Sequence, residues 1–349
     1  MSLDLNSVRD YLKHYDGPDV NLMEVCGSHT GAIAKNGIPS LLSDKIHLIS
    51  GPGCPVCVCV SSYIDRLIEL SLTENTCVVT FGDLIRVPGS QESLSIARGR
   101  GARVRMVYSP METLDLAEKD PATTFVFAAV GFETTAPVYA LLVEETKERH
   151  LSNVKLLTAI KTMPAVIDSL CSSHAPVDGF LAPGHVCAVT GYTAYEGLAK
   201  RYDLPFVVCG FTGPELLIGL TLLVKYRGQG IVKNAYPRVV TREGNQEAQA
   251  LMQEVFEPAP AAWRGLGIIE NSGLVLKGSY ASCDAGSRDL SEDNKKNRAC
   301  ICDQVLTGRK KPVDCPLFGK VCSPMHPQGA CMVSQEGSCF TWLTSGRQR

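Results

Sequence analysis

Short apolar runs recur along the first two-thirds of the chain, each ending in Gly, Pro, Ser or Thr and leading toward a helix-like segment. Residues 45–50 (Lys-Ile-His-Leu-Ile-Ser) read as a buried strand that stops at Gly51-Pro52-Gly53. In 61–72, Ile64, Leu67 and Ile68 then fall at helical spacing. The same reading predicts strands at 77–81, 103–108, 124–130, 154–158, 179–182 and 206–209. Such alternation confines the fold to the α/β class with mainly parallel sheets. Two junctions echo one another: Leu48-Ile-Ser-Gly-Pro-Gly-Cys-Pro-Val-Cys and Phe180-Leu-Ala-Pro-Gly-His-Val-Cys. The echo suggests two similar parallel-sheet, Rossmann-like lobes. A third junction, Val207-Val-Cys-Gly-Phe-Thr-Gly-Pro-Glu, opens a helix with Thr212 as its N-cap and Pro214 in the first turn. Ligands of open α/β sheets bind at the carboxyl ends of the strands, where all three loops belong.

From about residue 242 the texture changes. Residues 246–256 read as a helix, Glu257-Pro-Ala-Pro as a break, and 267–270 with 274–276 as short strand-like pieces. A charged run at 288–298 precedes a loop-rich tail containing Pro312, Pro316, Pro324 and Pro327. With 349 residues the chain is long enough for more than one core. The expected domains are 1–115, a first lobe with the Cys26 and Cys54/Cys57 loops; 116–240, a second lobe; and 241–349, a C-terminal domain. The lobes are allowed to be discontinuous. The tail has little apolar periodicity, so it needs a staple such as a metal centre.

Cysteine is the residue type that could supply one. Of 15 in the chain, six crowd into the tail as Cys300, Cys302, Cys315, Cys322, Cys331 and Cys339. The amino terminus is acidic and polar with no apolar signal segment, and the apolar stretches around 125–130 and 216–224 are too short to span a bilayer. The expectation is a cytoplasmic protein, and a reducing cytosol favours metal or catalytic thiols over structural disulfides. With 34 basic against 36 acidic residues, no charge excess points to nucleic acid or a membrane surface. Zinc and iron–sulfur clusters both accept four thiolates. Zinc sites usually carry two Cys-x2-4-Cys knuckles, which the tail lacks. The spacing Cys300-x14-Cys315-x6-Cys322-x16-Cys339 favours a cluster, though it is unlike the compact ferredoxin run.

A second group lies near the front. Cys54-Pro-Val-Cys57 follows a predicted strand directly, and amides of its turn could lower the pKa of Cys54. A redox dithiol, half of a metal site and two packed thiols are all open readings. Cys26-Gly-Ser-His29 sets a thiol and an imidazole three residues apart, suited to a nucleophile with its base or to two ligands of one metal. Gly131-Phe-Glu-Thr-Thr-Ala-Pro137 offers Glu133 and two hydroxyls to a ligand, or Thr134 and Thr135 as helix caps. Pro183-Gly-His185 resembles a site loop, although a lone histidine more often satisfies local hydrogen bonds. No glycine-rich phosphate motif stands at a strand end, so nucleotide chemistry is not supported.

The combination resembles the HypD family of nickel–iron hydrogenase maturation factors. The matching segments are Val25-Cys-Gly-Ser-His-Thr-Gly, Gly51-Pro-Gly-Cys-Pro-Val-Cys, Gly82-Asp-Leu-Ile-Arg-Val-Pro-Gly, Val130-Gly-Phe-Glu-Thr-Thr-Ala-Pro, Pro183-Gly-His-Val-Cys, Cys209-Gly-Phe-Thr-Gly-Pro-Glu and Gly329-Ala-Cys-Met-Val. They run in the family's order along nearly the whole chain. One departure is Asp303-Gln304, where the family typically continues Gly-Asp.

The resemblance implies two α/β lobes and a C-terminal iron–sulfur domain with a 4Fe–4S cluster. It implies a redox-active scaffold that builds the Fe(CN)2CO unit of the hydrogenase, held transiently, rather than a conventional turnover enzyme. Its partners would be a small HypC-type chaperone and a HypE-type cyanide donor. Carried over by position, Cys26 holds the iron with His29 close by, and Cys54 with Cys57 forms the dithiol/disulfide pair. Cys300, Cys315, Cys322 and Cys339 hold the cluster, with Cys302 and Cys331 as alternates. A helix-mouth position beside His29 favours the Cys26 thiolate, on a face open to a second protein's ligand. The rival reading is an iron–sulfur thiol-disulfide oxidoreductase acting on a protein; a zinc-stabilised binding module is a third.

Overall fold

The computed structural model describes residues 4–287 and 299–345; the charged run at 288–298 lies outside them. The fold is mixed α/β, with eleven strands in two sheets among the described residues. In chain order these are β1 (Val20–Glu24), β2 (Ile46–Ser50), β3 (Thr76–Thr80), β4 (Val104–Met106), β5 (Thr124–Gly131) and β6 (Val154–Lys161). They continue as β7 (Gly179–Pro183), β8 (Phe206–Cys209), β9 (Val232–Asn234), β10 (Phe256–Trp263) and β11 (Gly267–Leu276).

The first sheet runs β2-β1-β7-β8-β9 and is parallel throughout. The second runs β10-β11-β6-β5-β3-β4, with β3 to β6 parallel and the β10–β11 hairpin antiparallel at one edge. Neither sheet is a continuous piece of chain. Each combines an early segment with a later one, so the chain crosses between sheets three times. The echoing junctions follow β2 and β7, parallel strands of one sheet, so both junctions leave the same edge of that sheet instead of corresponding edges of two lobes.

Two further readings are corrected by packing. Glu257-Pro-Ala-Pro is not a break but the start of β10. Its prolines lack the amide a central strand must donate, and β10 escapes that demand because it forms the sheet edge. The strand pieces at 267–270 and 274–276 are one strand, β11.

Three apolar clusters hold these layers together. One unites both sheets with the tail, including Met23 and Phe180 from the first sheet, Val126 and Trp263 from the second, and Cys302 and Cys331. The others pack helices Ala136–Glu148 and Gly213–Lys225 onto the outer faces of the second and first sheets. Thr212 caps the latter helix: its hydroxyl accepts from the Glu215 amide while Glu215 accepts from the Thr212 amide. Among the described residues no helix is long and apolar enough to cross a membrane.

Candidate functional site

Cys26 ends the extended segment after β1 and is the N-cap of helix Gly27–Lys35. Its backbone N–H donates to the buried Glu24 carboxylate at 3.0 Å, and Thr30 donates its hydroxyl to the same group. The loop after β2 lies directly on it. Gly51 N–H donates to Glu24 O at 2.8 Å and Gly27 N–H to Gly53 O at 2.9 Å. At Gly53 a Cβ would collide with the Cys26 backbone, so only glycine allows this approach. Cys54 is therefore the next residue after a backbone already packed on Cys26.

Cys54 and Cys57 form a disulfide with Cα atoms 5.2 Å apart. The Cys57 amide also points at Cys54 Sγ, 3.2 Å away, and would steady a thiolate there after reduction. On the other side, Cys57 Sγ lies 3.9 Å from the Ala330 carbonyl, one residue before tail cysteine Cys331. Buried Arg264, in the β10–β11 turn, clamps this loop by donating to the Cys59 and Pro88 carbonyls.

The tail reaches Cys26 as well. Ser28 donates to Glu336 at 2.8 Å, and Glu336 covers Gly27 so closely that a Cβ there would strike it. Cys26 is consequently only 8% exposed, not on an open face. Burial pushes its thiol up to about 12, with the Glu24 and Glu336 charges adding to the rise, while the first amides of the helix lower it. The helix mouth does not by itself produce a thiolate here. Burial therefore keeps this thiol protonated at neutral pH.

His29 is brought beside β8 rather than onto the Cys26 sulfur. Its Nε2 lies 3.3 Å from Cys209 O, 3.2 Å from Gly210 O and 3.6 Å from Cys209 Sγ. Burial lowers its pKa to about 4, so the ring is neutral, with Nε2 as donor and Nδ1 without a partner among the described residues. Phe211 packs against both His29 and His185, with centroids 4.6 and 4.0 Å away. Sequence reasoning did not single out Cys209, Phe211, Glu24 or Glu336. The Cys209-Gly-Phe-Thr-Gly junction was the available signal for the first two; the carboxylates carried none. Glu133 does not face a ligand through both oxygens: one accepts the Met163 amide at 2.8 Å and caps helix Met163–Ser172.

All six tail cysteines line one cavity, together with Val305, Leu317, Phe318, Gly329 and Met332. The enclosed volume is only about 20 Å³, room for little more than one water. Among the described residues no group of three or more His, Cys, Asp or Glu side chains is arranged to hold a metal ion. What fits a 4Fe–4S cluster is the donor set: thiols around a volume with an apolar lining, since each iron takes its own thiolate. The Gln328 amide donates to Cys322 Sγ at 3.3 Å, and Arg264 contributes positive charge toward Cys300, Cys302 and Cys331. A hydrogen bond shared by Cys300 and Cys302 lowers the first and raises the second. Burial raises Cys322, Cys331 and Cys339, so these thiols stay protonated unless a bound metal displaces their protons.

A family profile described as "HypD: Hydrogenase formation hypA family" matches residues 5–346. The chain belongs to the HypD family. It is 42% identical over 340 residues to the hydrogenase maturation factor HypD of Azotobacter vinelandii, covering 94% of this chain and 90% of that protein. To HypD of Escherichia coli K12 it is 42% identical over 335 residues, with the same coverage of both chains. HypD of Cupriavidus necator is 41% identical over 344 residues, covering 95% and 91%. The chain's role is in hydrogenase maturation, as the family assignment implies.

Proposed function

We propose that this HypD-family chain assembles the Fe(CN)2CO unit of nickel–iron hydrogenases on Cys26, using the Cys54–Cys57 pair as reductant and tail thiols as cluster ligands. One observation carries the reading: the three sulfur groups form an unbroken series. Gly53 packs on the Cys26 backbone, Cys54 follows it, Cys57 touches Ala330, and Cys331 opens onto the tail cavity.

Each group then has a distinct task. Cys26 supplies a soft thiolate to the iron cargo once its buried proton is displaced. Reduced Cys54 and Cys57 provide two electrons as they close to a disulfide. In a thiocyanate carrier those electrons break the S–C bond, leaving the carrier's thiol and hydrogen cyanide, with the dithiol's two protons balancing the products. Cys300, Cys315, Cys322 and Cys339, with Cys302 and Cys331 as alternates, would hold a 4Fe–4S cluster, which would relay electrons one at a time from an external reductant to restore the dithiol. A HypC-type chaperone would share the iron through its own thiolate, reaching Cys26 by parting Glu336 from Ser28, and a HypE-type donor would bring the cyanide.

Infrared spectroscopy of the chain co-expressed with its partners tests this directly. The wild type should show cyanide and carbonyl bands, and Cys26→Ala should lose them while keeping the fold and tail iron. Bands that survive in Cys26→Ala but vanish in Cys54→Ala would place the iron on the Cys-x-x-Cys loop instead. A wild-type complex without bands, yet with a reversible Cys54–Cys57 couple, would leave the thiol-disulfide oxidoreductase reading.

A further inference from the structure

The second sheet ends on one side at β4, a strand of three residues whose outer edge pairs with no other strand among the described residues. Val78 N–H donates to Arg103 O at 2.9 Å and Val107 N–H to Thr80 O at 3.1 Å, with Val78 opposite Val104 and Thr80 opposite Met106. In a parallel ladder that register turns the backbone of Arg103, Arg105 and Val107 toward β3. The N–H and C=O groups of Val104 and Met106 therefore point outward along the free edge. The other end of the sheet is guarded against such pairing, because edge strand β10 carries Pro258 and Pro260, which cannot donate to a further strand. β4 has no proline.

The side chains of this edge sort by face. Arg105 stands opposite Val79, on the face that packs against helix Ala136–Glu148, and the charges of Arg103 and Arg105 both act on Cys77 there. Val104 and Met106 take the other face. Val104 packs on the central cluster, while Met106 is 59% exposed beside Gly82. Just beyond the strand Tyr108 is fully exposed, at 100%, although its backbone is pinned: the Tyr108 and Ser109 amides both donate to Glu112, each at 2.8 Å. An open ring on a fixed backbone is a ready anchor, since it has little freedom left to lose on contact.

Charge selects the occupant. Residues 93–111 hold four arginines and no Asp, Glu or Lys, in a chain whose net charge is −2. Arg100 is paired with Glu92 and Arg103 lies 3.9 Å from Asp120, but Arg98 and Arg105 form no ion pair among the described residues. We propose that β4 is a docking edge for an extended acidic segment of a partner protein, added to the sheet as a further strand. Alternate residues of that segment would meet opposite faces, carboxylates beside Arg103 and Arg105 and apolar groups beside Met106, with Tyr108 closing the end. A second copy of this chain is a poor occupant, because two β4 edges would set arginines against arginines. Nucleic acid would use the arginines but not the outward backbone groups.

The test uses the full chain with two dye-labelled hexapeptides, one alternating Glu and Val and one alternating Lys and Val, and a ten-nucleotide oligothymidylate as the comparison. Fluorescence polarisation gives the affinity and deuterium exchange the place. The wild type should bind the Glu–Val peptide saturably, ignore the other two probes, and exchange more slowly at 104–106 when loaded. Tyr108→Ala should weaken binding about tenfold, the scale of one anchoring ring. Arg105→Glu should weaken it about tenfold and admit the Lys–Val peptide. Met106→Pro removes an outward amide and spares the β3 ladder, so it should cost about tenfold where Met106→Ala costs about threefold. Should Met106→Pro fail to fold, the exposed Tyr108 and Arg105 variants carry the comparison. Absence of wild-type binding, equal binding of both peptides, preference for the oligothymidylate, a chain dimer lost in Tyr108→Ala, or unchanged affinity in the folded variants overturns the proposal. Unchanged exchange at 104–106 does so as well. No cysteine or iron takes part, so failure here leaves the iron-assembly reading standing.

Discussion

Glu133 shows how burial decides which proton a side chain keeps. One carboxylate oxygen accepts the Met163 amide, the other has no partner among the described residues, and burial raises the pKa from 4.5 to about 7. Between those values the folded chain holds a proton that the unfolded chain has released, so stability falls as pH rises through the window. Glu133→Gln keeps the acceptor for Met163 and removes the titration. Its stability relative to wild type should therefore be about 2.5 kcal/mol better at pH 8 than at pH 5. Any pH-independent cost of the buried amide cancels in that difference, which denaturant midpoints at the two pH values would measure; equal differences would refute the assignment. Cys54 makes a redox case of the same kind. Thiol trapping at controlled potentials should show a two-electron couple in the wild type and none in Cys54→Ser. An unchanged pattern would remove the redox role.

Helix Gly27–Lys35 and the loop beneath it carry two glycines with opposite meanings. Around Gly31 nothing lies within 4 Å of the place a Cβ would take, so Gly31→Ala should stabilise the chain by about 0.5–1 kcal/mol through helix propensity. Gly53, in the loop, has no such space, and Gly53→Ala should cost about 1–3 kcal/mol and displace the Cys54–Cys57 turn from Cys26. Urea melts give the two signs, and a shift of the Cys54–Cys57 couple in Gly53→Ala reports the displacement. Much of this scale is legible in the sequence. β3, β5, β7 and β8 lie within a residue of their expected bounds because apolar runs closed by Gly or Pro are strong local signals. β1 escapes such a reading because Val20-Asn-Leu-Met-Glu lacks an apolar run, and β10 because prolines read as a stop unless the edge position is known. The front cysteines stand out as residues, but their burial does not. It depends on Glu336 meeting Ser28 across 308 residues, which no local pattern encodes.

Across the whole molecule, the tail touches both front cysteine loops: Ala330 at Cys57, Glu336 at Ser28, and Ser338 at the Ser50 carbonyl. If the tail thiols hold iron, as proposed above, chelation should therefore quicken amide exchange at 300–339 and also at 26–35 and 50–57, leaving central strand β5 protected. Exchange that rises in the tail alone would mean the two regions are uncoupled. The alternation of the chain between sheets has a consequence for its birth. Asn21 N–H must find Asp178, 157 residues later, before β1 gains its neighbour β7. At about 5–20 residues per second on the ribosome, that wait is roughly ten to thirty seconds. For that interval Cys26, Cys54 and Cys57 lie on a nascent chain without their roof, reachable by oxidants and stray metals. Glu336 emerges later still, so the cell must guard these thiols until the last turn of the tail has been made.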